Sequence, residues 1–215
     1  MDFRGVLFDM DGVLLKSMEQ HLEAWQHAFD PFSATVKRED FFMLEGRGVK
    51  SVVDTLVEKY HIDPASKKSI VDAKVAYYQN IFEPIFYDGL FRLLKKLKKA
   101  GKKMAVVTGG QRLWVTEIVR KYFNSYFSAI ITSDDVTNTK PFPEPYLKGA
   151  AALNLPPGKC IVIENAPLGI KAGKEAGMKV IAITTTLDES YLLEADLIAG
   201  NFTRVQTLLF DENKQ

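Results

Sequence analysis

The chain has 215 residues, 47% hydrophobic and 26% charged, with a formal net charge of +1. This is the balance of an ordinary globular chain able to bury a full core, and it excludes the basic footprint expected of a nucleic-acid or anionic-membrane binder. Cys160 is the single cysteine, which excludes an internal disulfide and a cysteine-based zinc site.

In chain order, the first predicted element is a buried strand, "RGVLFD", which runs into "DMDGVLL". Residues two apart in a strand point the same way, so Asp9 and Asp11 should repel. One reading is a strand end entering an Asp-Gly turn; the other is a site whose ligand offsets the repulsion. Residues 16–83 then read as helical throughout: "MEQHLEAWQHAF", "KREDFFMLEG", "SVVDTLVEKY" and "KKSIVDAKVAYYQNIF". An all-helical block inserted after one strand predicts a cap on two linkers, the exit linker being "EPIFYDG", where Pro84 breaks the helix.

Residues 1–15 and 84–215 form the expected core. In "LLKKLKKAGKK" the leucines at 90, 93, 94 and 97 repeat at helical spacing, so the lysines read as a solvated helix face. The strand-like runs "KKMAVVTGG", "SAIITSDD", "KCIVIEN", "KVIAITTT" and "ADLIAGNF" alternate with segments such as "WVTEIVRKYF" and "PEPYLKGAAALN". This alternation predicts an α/β fold: a Rossmann-like parallel sheet with helices on both faces, plus the inserted helical cap. The tail "FDENKQ" is expected to fray. With no secretory h-region and no apolar run long enough to span a bilayer, the expected location is cytoplasmic.

Ligands of open α/β sheets sit beyond the carboxyl ends of the strands. Those ends carry Asp9 and Asp11, then Thr108 with Gly109 and Gly110, and Glu164 with Asn165; Lys140 follows the "SAIITSDD" strand. Taken singly, each has a structural reading: a turn hydroxyl, a surface charge, a helix-start carboxylate. Gathered on one rim, they suit Mg²⁺, which takes one or two carboxylates plus substrate phosphate. A carboxylate could then attack phosphorus. Lys140, Thr108 and backbone amides beside Gly109 could hold the transferring oxygens, and a second carboxyl could protonate the leaving oxygen.

"FDMDGVL", "VVTGG", "KPFPEPY" and "VIENAPLGIKAG", in that order, resemble the four motifs of the haloacid dehalogenase superfamily. The cap placement and "SMEQHLEAW" resemble its β-phosphoglucomutase-like branch. The resemblance implies Asp9 as nucleophile, Asp11 as general acid/base, and Thr108 and Lys140 as phosphate binders. It further implies Mg²⁺ held by Asp9, the Asp11 carbonyl and the Glu164–Asn165 region. It also suggests that His21 steadies the hinge near Asp11; the alternative is a packing histidine.

Two departures matter. The fourth motif usually carries two acids, and here the second is Asn165, which removes a negative charge from the metal site. "FFMLEGRGVKS" sets Glu45 where this branch's cap loop reaches the active site, and the expectation is that Glu45 completes the Mg²⁺ shell on closure. The alternative leaves it facing solvent. "EGRG" with "ENAPLG" resembles a pyrophosphate-hydrolysing group within the branch. Arg47 and Lys50 are candidate substrate-anion contacts, or solvated loop residues. No GxxxxGK(S/T), GxGxxG or HExxH pattern occurs.

The expectation is therefore a Mg²⁺-dependent phosphohydrolase for a small phosphorylated metabolite or pyrophosphate, with no nucleic-acid, membrane or protein partner implied. Two rivals remain: a β-phosphoglucomutase-type mutase, which Glu45 disfavours because it would repel a second phosphate, and a non-catalytic phosphate-binding module.

Overall fold

Short apolar runs become strands, the inner four of them buried along nearly their whole length. The computed structural model describes residues 2–123 and 125–210. Strand β1 (Gly5–Phe8) is followed by α1 (Met18–Phe29), α2 (Arg38–Phe42), α3 (Val49–Lys59) and α4 (Lys67–Ile81), with no strand among them. The chain continues through α5 (Leu90–Lys99), β2 (Lys103–Val107), α6 (Arg112–Tyr122), β3 (Ala129–Ile131) and α7 (Glu144–Ala152). It ends with β4 (Cys160–Glu164), α8 (Pro167–Glu175), β5 (Lys179–Ile183), β6 (Leu197–Ala199) and α9 (Phe202–Phe210).

The strands make one parallel sheet in the order β3-β2-β1-β4-β5-β6. Side chains alternate between its faces. Leu7, Ala105 and Val162 pack with Tyr146 of α7 and Ile170 of α8, while Val6, Phe8 and Ile163 pack with the leucines of α5, with Val115 of α6 and with Val205 of α9. Leu90, Leu93, Leu94 and Leu97 are the buried stripe of α5, so the lysine-rich run is the outer face of a core helix. Among the described residues, no helix is long and apolar enough to cross a membrane. Of the tail expected to fray, Phe210 closes α9, and 211–215 lie outside the described residues.

The sheet order sets the site. β1 lies between β2 and β4, with Phe8 opposite Val106 on one side and Ile163 on the other. The carboxyl ends of three strands therefore meet where the order reverses, the crevice in which open α/β sheets bind ligands.

The helical insert stands over that crevice. Its core holds Trp25, Phe29 and Phe41, with ring centroids 6.2–6.4 Å from Trp25 to the other two. The two linkers run side by side: Lys16 N donates to Ile85 O at 2.8 Å, and the Gln20 amide bonds both the N–H and the carbonyl of Glu83. The expected helix over "KREDFFMLEG" stops at Phe42, and residues 43–48 form a turn. Gly46 and Gly48 have φ of +89° and +79°, a conformation that favours glycine and cannot continue a right-handed helix.

Candidate active site

Asp9 takes the position after β1, its N–H still donating to Ile163 O at 3.1 Å, so the ladder itself fixes where the carboxylate stands. Lys140 Nζ donates to Asp9 Oδ1 at 2.5 Å, to Glu164 Oε1 at 2.7 Å and, more weakly, to Val107 O at 3.3 Å. All three side chains are buried, Lys140 with 2% exposure. Burial pushes the Asp9 carboxyl up to about 7 against the pull of Lys140, and the charge on Glu164 adds to the rise.

Glu164 is held on every side. Oε1 accepts from Lys140 and from the Tyr146 hydroxyl at 2.9 Å, and Oε2 accepts from the N–H groups of Asn165 and Ala166 at 2.8 and 3.1 Å. It sits over the start of α8 against Gly169, where a Cβ would come 1.6 Å from Oε1, so only glycine admits the carboxylate. With about four acceptor sites, all used, Glu164 serves here as the counter-ion that aims Lys140; as placed, it has no lone pair left for a direct metal bond.

Asp11 occupies the opposite wall. Ser17 Oγ donates to its Oδ1, and His21 Nε2 lies 3.2 Å from the same oxygen. Lys74 Nζ donates to His21 Nδ1 at 2.9 Å, which fixes the tautomer with its proton on Nε2, toward Asp11. Burial raises the Asp11 carboxyl, but His21, Ser17 and Lys74 outweigh it and hold the group below its usual range. Burial, then Lys74, lowers His21, and burial lowers Lys74 to about 8. Lys74 also lies 4.7 Å from the Tyr78 ring centroid, and His21 stacks on that ring at 3.9 Å.

The insert contributes one acid. Glu45, 6% exposed, accepts from Asn165 Nδ2 at 2.8 Å, and the same amide nitrogen donates to Thr186 Oγ1 at 2.9 Å. Burial first, then Asp9 and Glu164, pushes the Glu45 carboxyl well above its usual value. Asp9, Asp11, Glu45, Lys74, Thr108 and Gly109 line one chamber of about 80 Å³. Thr108 Oγ1 there accepts from Gly110 N at 3.1 Å.

Among the described residues, no three His, Cys, Asp or Glu side chains form a ready-made metal cluster. The oxygen donors nonetheless fit a hard cation. Glu45 Oε1 and Asn165 Oδ1 are both buried without a hydrogen-bond partner, and orphaned buried oxygens call for a ligand. The donor set combines carboxylates with an amide oxygen and a backbone carbonyl, which is chemistry suited to Mg²⁺ but not a cluster of acids.

Asp9, Asp11, Thr108, Gly109, His21 and Glu45 thus share one chamber; Lys140 and Asn165 bond its acids Asp9 and Glu45, and Glu164 joins through Lys140. Arg47 and Lys50 instead line an adjoining cavity of about 380 Å³, which shares Gly48, Val49 and Gly109 with the chamber but is not lined by Asp9. Lys74, Tyr146 and Thr186 were not anticipated. A signal existed for Lys74: it falls between Ile70 and Tyr78 at i, i+4, i+8, the buried stripe of α4.

Residues 6–183 match the model of a family described as haloacid dehalogenase-like hydrolase. Over 209 residues the chain is 31% identical to validoxylamine A 7'-phosphate phosphatase of Streptomyces hygroscopicus subsp. limoneus, covering 95% of this chain and 96% of that one. It is 27% identical over 222 residues to pyrophosphatase PpaX of Bacillus cereus, covering 100% of both. A solved Bacteroides vulgatus structure, provisionally described as a β-phosphoglucomutase, matches with a TM-score of 0.86 at 32% identity, covering 97% of this chain and 88% of that one.

Proposed function

The chain belongs to the haloacid dehalogenase-like hydrolases, in their β-phosphoglucomutase-like branch, and from that premise we propose a Mg²⁺-dependent phosphohydrolase that cleaves a small phosphorylated metabolite or inorganic pyrophosphate through an aspartyl-phosphate on Asp9. One observation carries this reading. Glu45, an acid of the helical insert, is buried against Asn165 at the chamber that holds Asp9. With a cation beside it to favour ionisation, Glu45 would restore from the closed cap, residues 16–83, the negative charge missing from the fourth motif.

The steps follow from the contacts. Lys140 binds Oδ1 of Asp9 and so leaves Oδ2 to attack phosphorus. Its 3.3 Å bond to Val107 is the donor it can surrender to a phosphoryl oxygen, joined by the Thr108 hydroxyl and the Gly109 amide. Asp11 gives a proton to the leaving oxygen as the bond to phosphorus breaks; that proton reaches Asp11 from His21 Nε2–H as Lys74 passes one of its own to Nδ1, so the imidazole stays neutral. Asp11 then takes a proton from the water that attacks the acyl phosphate, which frees Asp9 and phosphate. When bound, Mg²⁺ would be held by Asp9, the Asp11 carbonyl, Asn165 Oδ1 and Glu45 Oε1, and would supply positive charge to the transferring oxygens. The closed cap excludes bulk water, and a cytoplasmic setting suits this chemistry.

Glu45 speaks against a mutase, because a bisphosphate intermediate would set its second phosphate beside a buried carboxylate. A mere binder has no use for a nucleophilic acid buried at this cost. The test is phosphate release from pyrophosphate, small phosphomonoesters and a hexose 1-phosphate, with Mg²⁺ or with a chelator. Release that needs Mg²⁺ is expected. Conversion of the hexose 1-phosphate to its 6-phosphate without net release would instead establish the mutase.

A further inference from the structure

The turn 43–48 meets the core at three places. Glu45 bonds Asn165 after β4. Gly46 lies over the stem of Lys140, where a Cβ would come 2.7 Å from Cδ. The third contact is backbone on backbone, after β2: a Cβ on Gly109 would stand 2.9 Å from both Gly46 O and Gly48 N, and one on Gly48 would stand 3.2 Å from Gly109 O.

The three glycines have different reasons to be glycine. Gly46 and Gly48 have positive φ, so their own backbone asks for it. Gly109 does not have positive φ. Its nearest obstacles are atoms of the insert, and these are main-chain atoms that no rotamer change can move aside. The demand for glycine at 109 thus comes from the cap. A methyl group there would lift the turn, and Glu45, one residue from the contact, would lose its reach to Asn165.

We propose that Gly109 is a specificity-determining residue: its bare backbone lets the Gly46–Gly48 turn seat fully, and only the seated turn brings Glu45 onto Asn165 and closes the chamber down to small leaving groups. This rests on the reading that Glu45 works in the phosphohydrolase site. The chamber of about 80 Å³ belongs to the seated state. The chamber is partly open, so a bulky leaving group that pushes past the turn does so at the expense of its seating and of the help of Glu45. The residue thus favours small substrates through the energy of closure and needs no direct contact with the leaving group.

The test is a cycle of four proteins, the parent, Gly109→Ala, Glu45→Ala and the double variant, on pyrophosphate and on p-nitrophenyl phosphate. Each single change should lower kcat/KM on pyrophosphate roughly tenfold or more, while the double variant falls within about twofold of the worse single, because both remove one event. The preference for pyrophosphate over the aryl ester should fall in the same proportion. Losses that multiply, or a Gly109→Ala enzyme with the parental preference, would overturn the proposal. Amide hydrogen exchange of residues 43–48 reads the seam without any substrate. Faster exchange in Gly109→Ala is expected and an unchanged rate refutes the seam, whereas faster exchange with no activity on any phosphate compound refutes the hydrolase reading alone. Thermal unfolding checks the fold, and Gly109→Ser provides a second variant for the same cycle.

Discussion

Lys140→Met should be inactive and about 3–5 kcal/mol less stable than the parent, the usual cost of removing one partner from a buried charge cluster. Lys140 is the shared cation of Asp9 and Glu164, with side-chain exposures of 1%, 3% and 1%. Methionine fills much of the same space but leaves two buried acids facing each other. With Lys140 gone, nothing offsets the burial that already raises Asp9 to about 7, so its carboxyl in the folded variant stands still further above its unfolded value. A group raised in this way binds more protons folded than unfolded, and stability falls as pH climbs through the raised value. The deficit should therefore be greatest at neutral pH and shrink as the pH is lowered below about 6. Urea unfolding of both proteins across that range checks this; a variant within 1 kcal/mol of the parent at neutral pH would contradict the ion-pair assignment.

Asp9→Asn should lose turnover by about a thousandfold or more, as expected when a nucleophile is removed from a site whose groups act as a unit, and should keep its fold. Asparagine matches the shape of aspartate. Lys140 retains Glu164 as its partner, and the change removes a carboxylate whose ionisation burial opposes. The loss should be in kcat, with phosphate still bound through Thr108, Gly109 and Lys140. Steady-state phosphate release together with a denaturation midpoint separates the two effects; activity within tenfold of the parent would remove Asp9 from the nucleophile's role.

These predictions rest on a site whose chemistry was more legible in the sequence than its wiring. The six strands could be read because central parallel strands must be apolar on both faces, and "GVLF" and "CIVIE" are continuous apolar runs ended by acids. Helix α1 emerged with the bounds of its apolar period. The strand-end residues could be read for the same topological reason. What spacing could not reveal is how each acid is partnered. The Tyr146 bond to Glu164 spans 18 positions, the Lys74 bond to His21 spans 53, and the Glu45 bond to Asn165 spans 120. Two of these three join the insert to itself or to the core, where only the folded arrangement decides the neighbour. The same limit applies to Glu164, whose acidity was legible but whose full set of hydrogen-bond donors was not. Arg47 and Lys50 carry charge suited to a substrate anion, yet the positive φ of Gly46 and Gly48 turns the loop so that only Glu45 of the three lines the Asp9 chamber.

Asn165 shows why its neighbours matter. Its amide nitrogen, shared by Thr186 and Glu45, turns Oδ1 the other way, without a partner. An aspartate at 165 would offer no donor and would repel Glu45. In the proposed site the amide would exchange a fixed charge in the core for one carried by the cap, and cation affinity and closure would become one equilibrium.

Calorimetric titration of Mg²⁺ into the parent and into Glu45→Gln tests this most directly, because the substitution keeps the shape of the side chain and removes its charge. The parent should bind, and the variant should bind roughly tenfold or more weakly, the scale set by losing a group that holds or orients a metal. Equal affinity in the two proteins would mean that the cap's carboxylate plays no part in holding the cation.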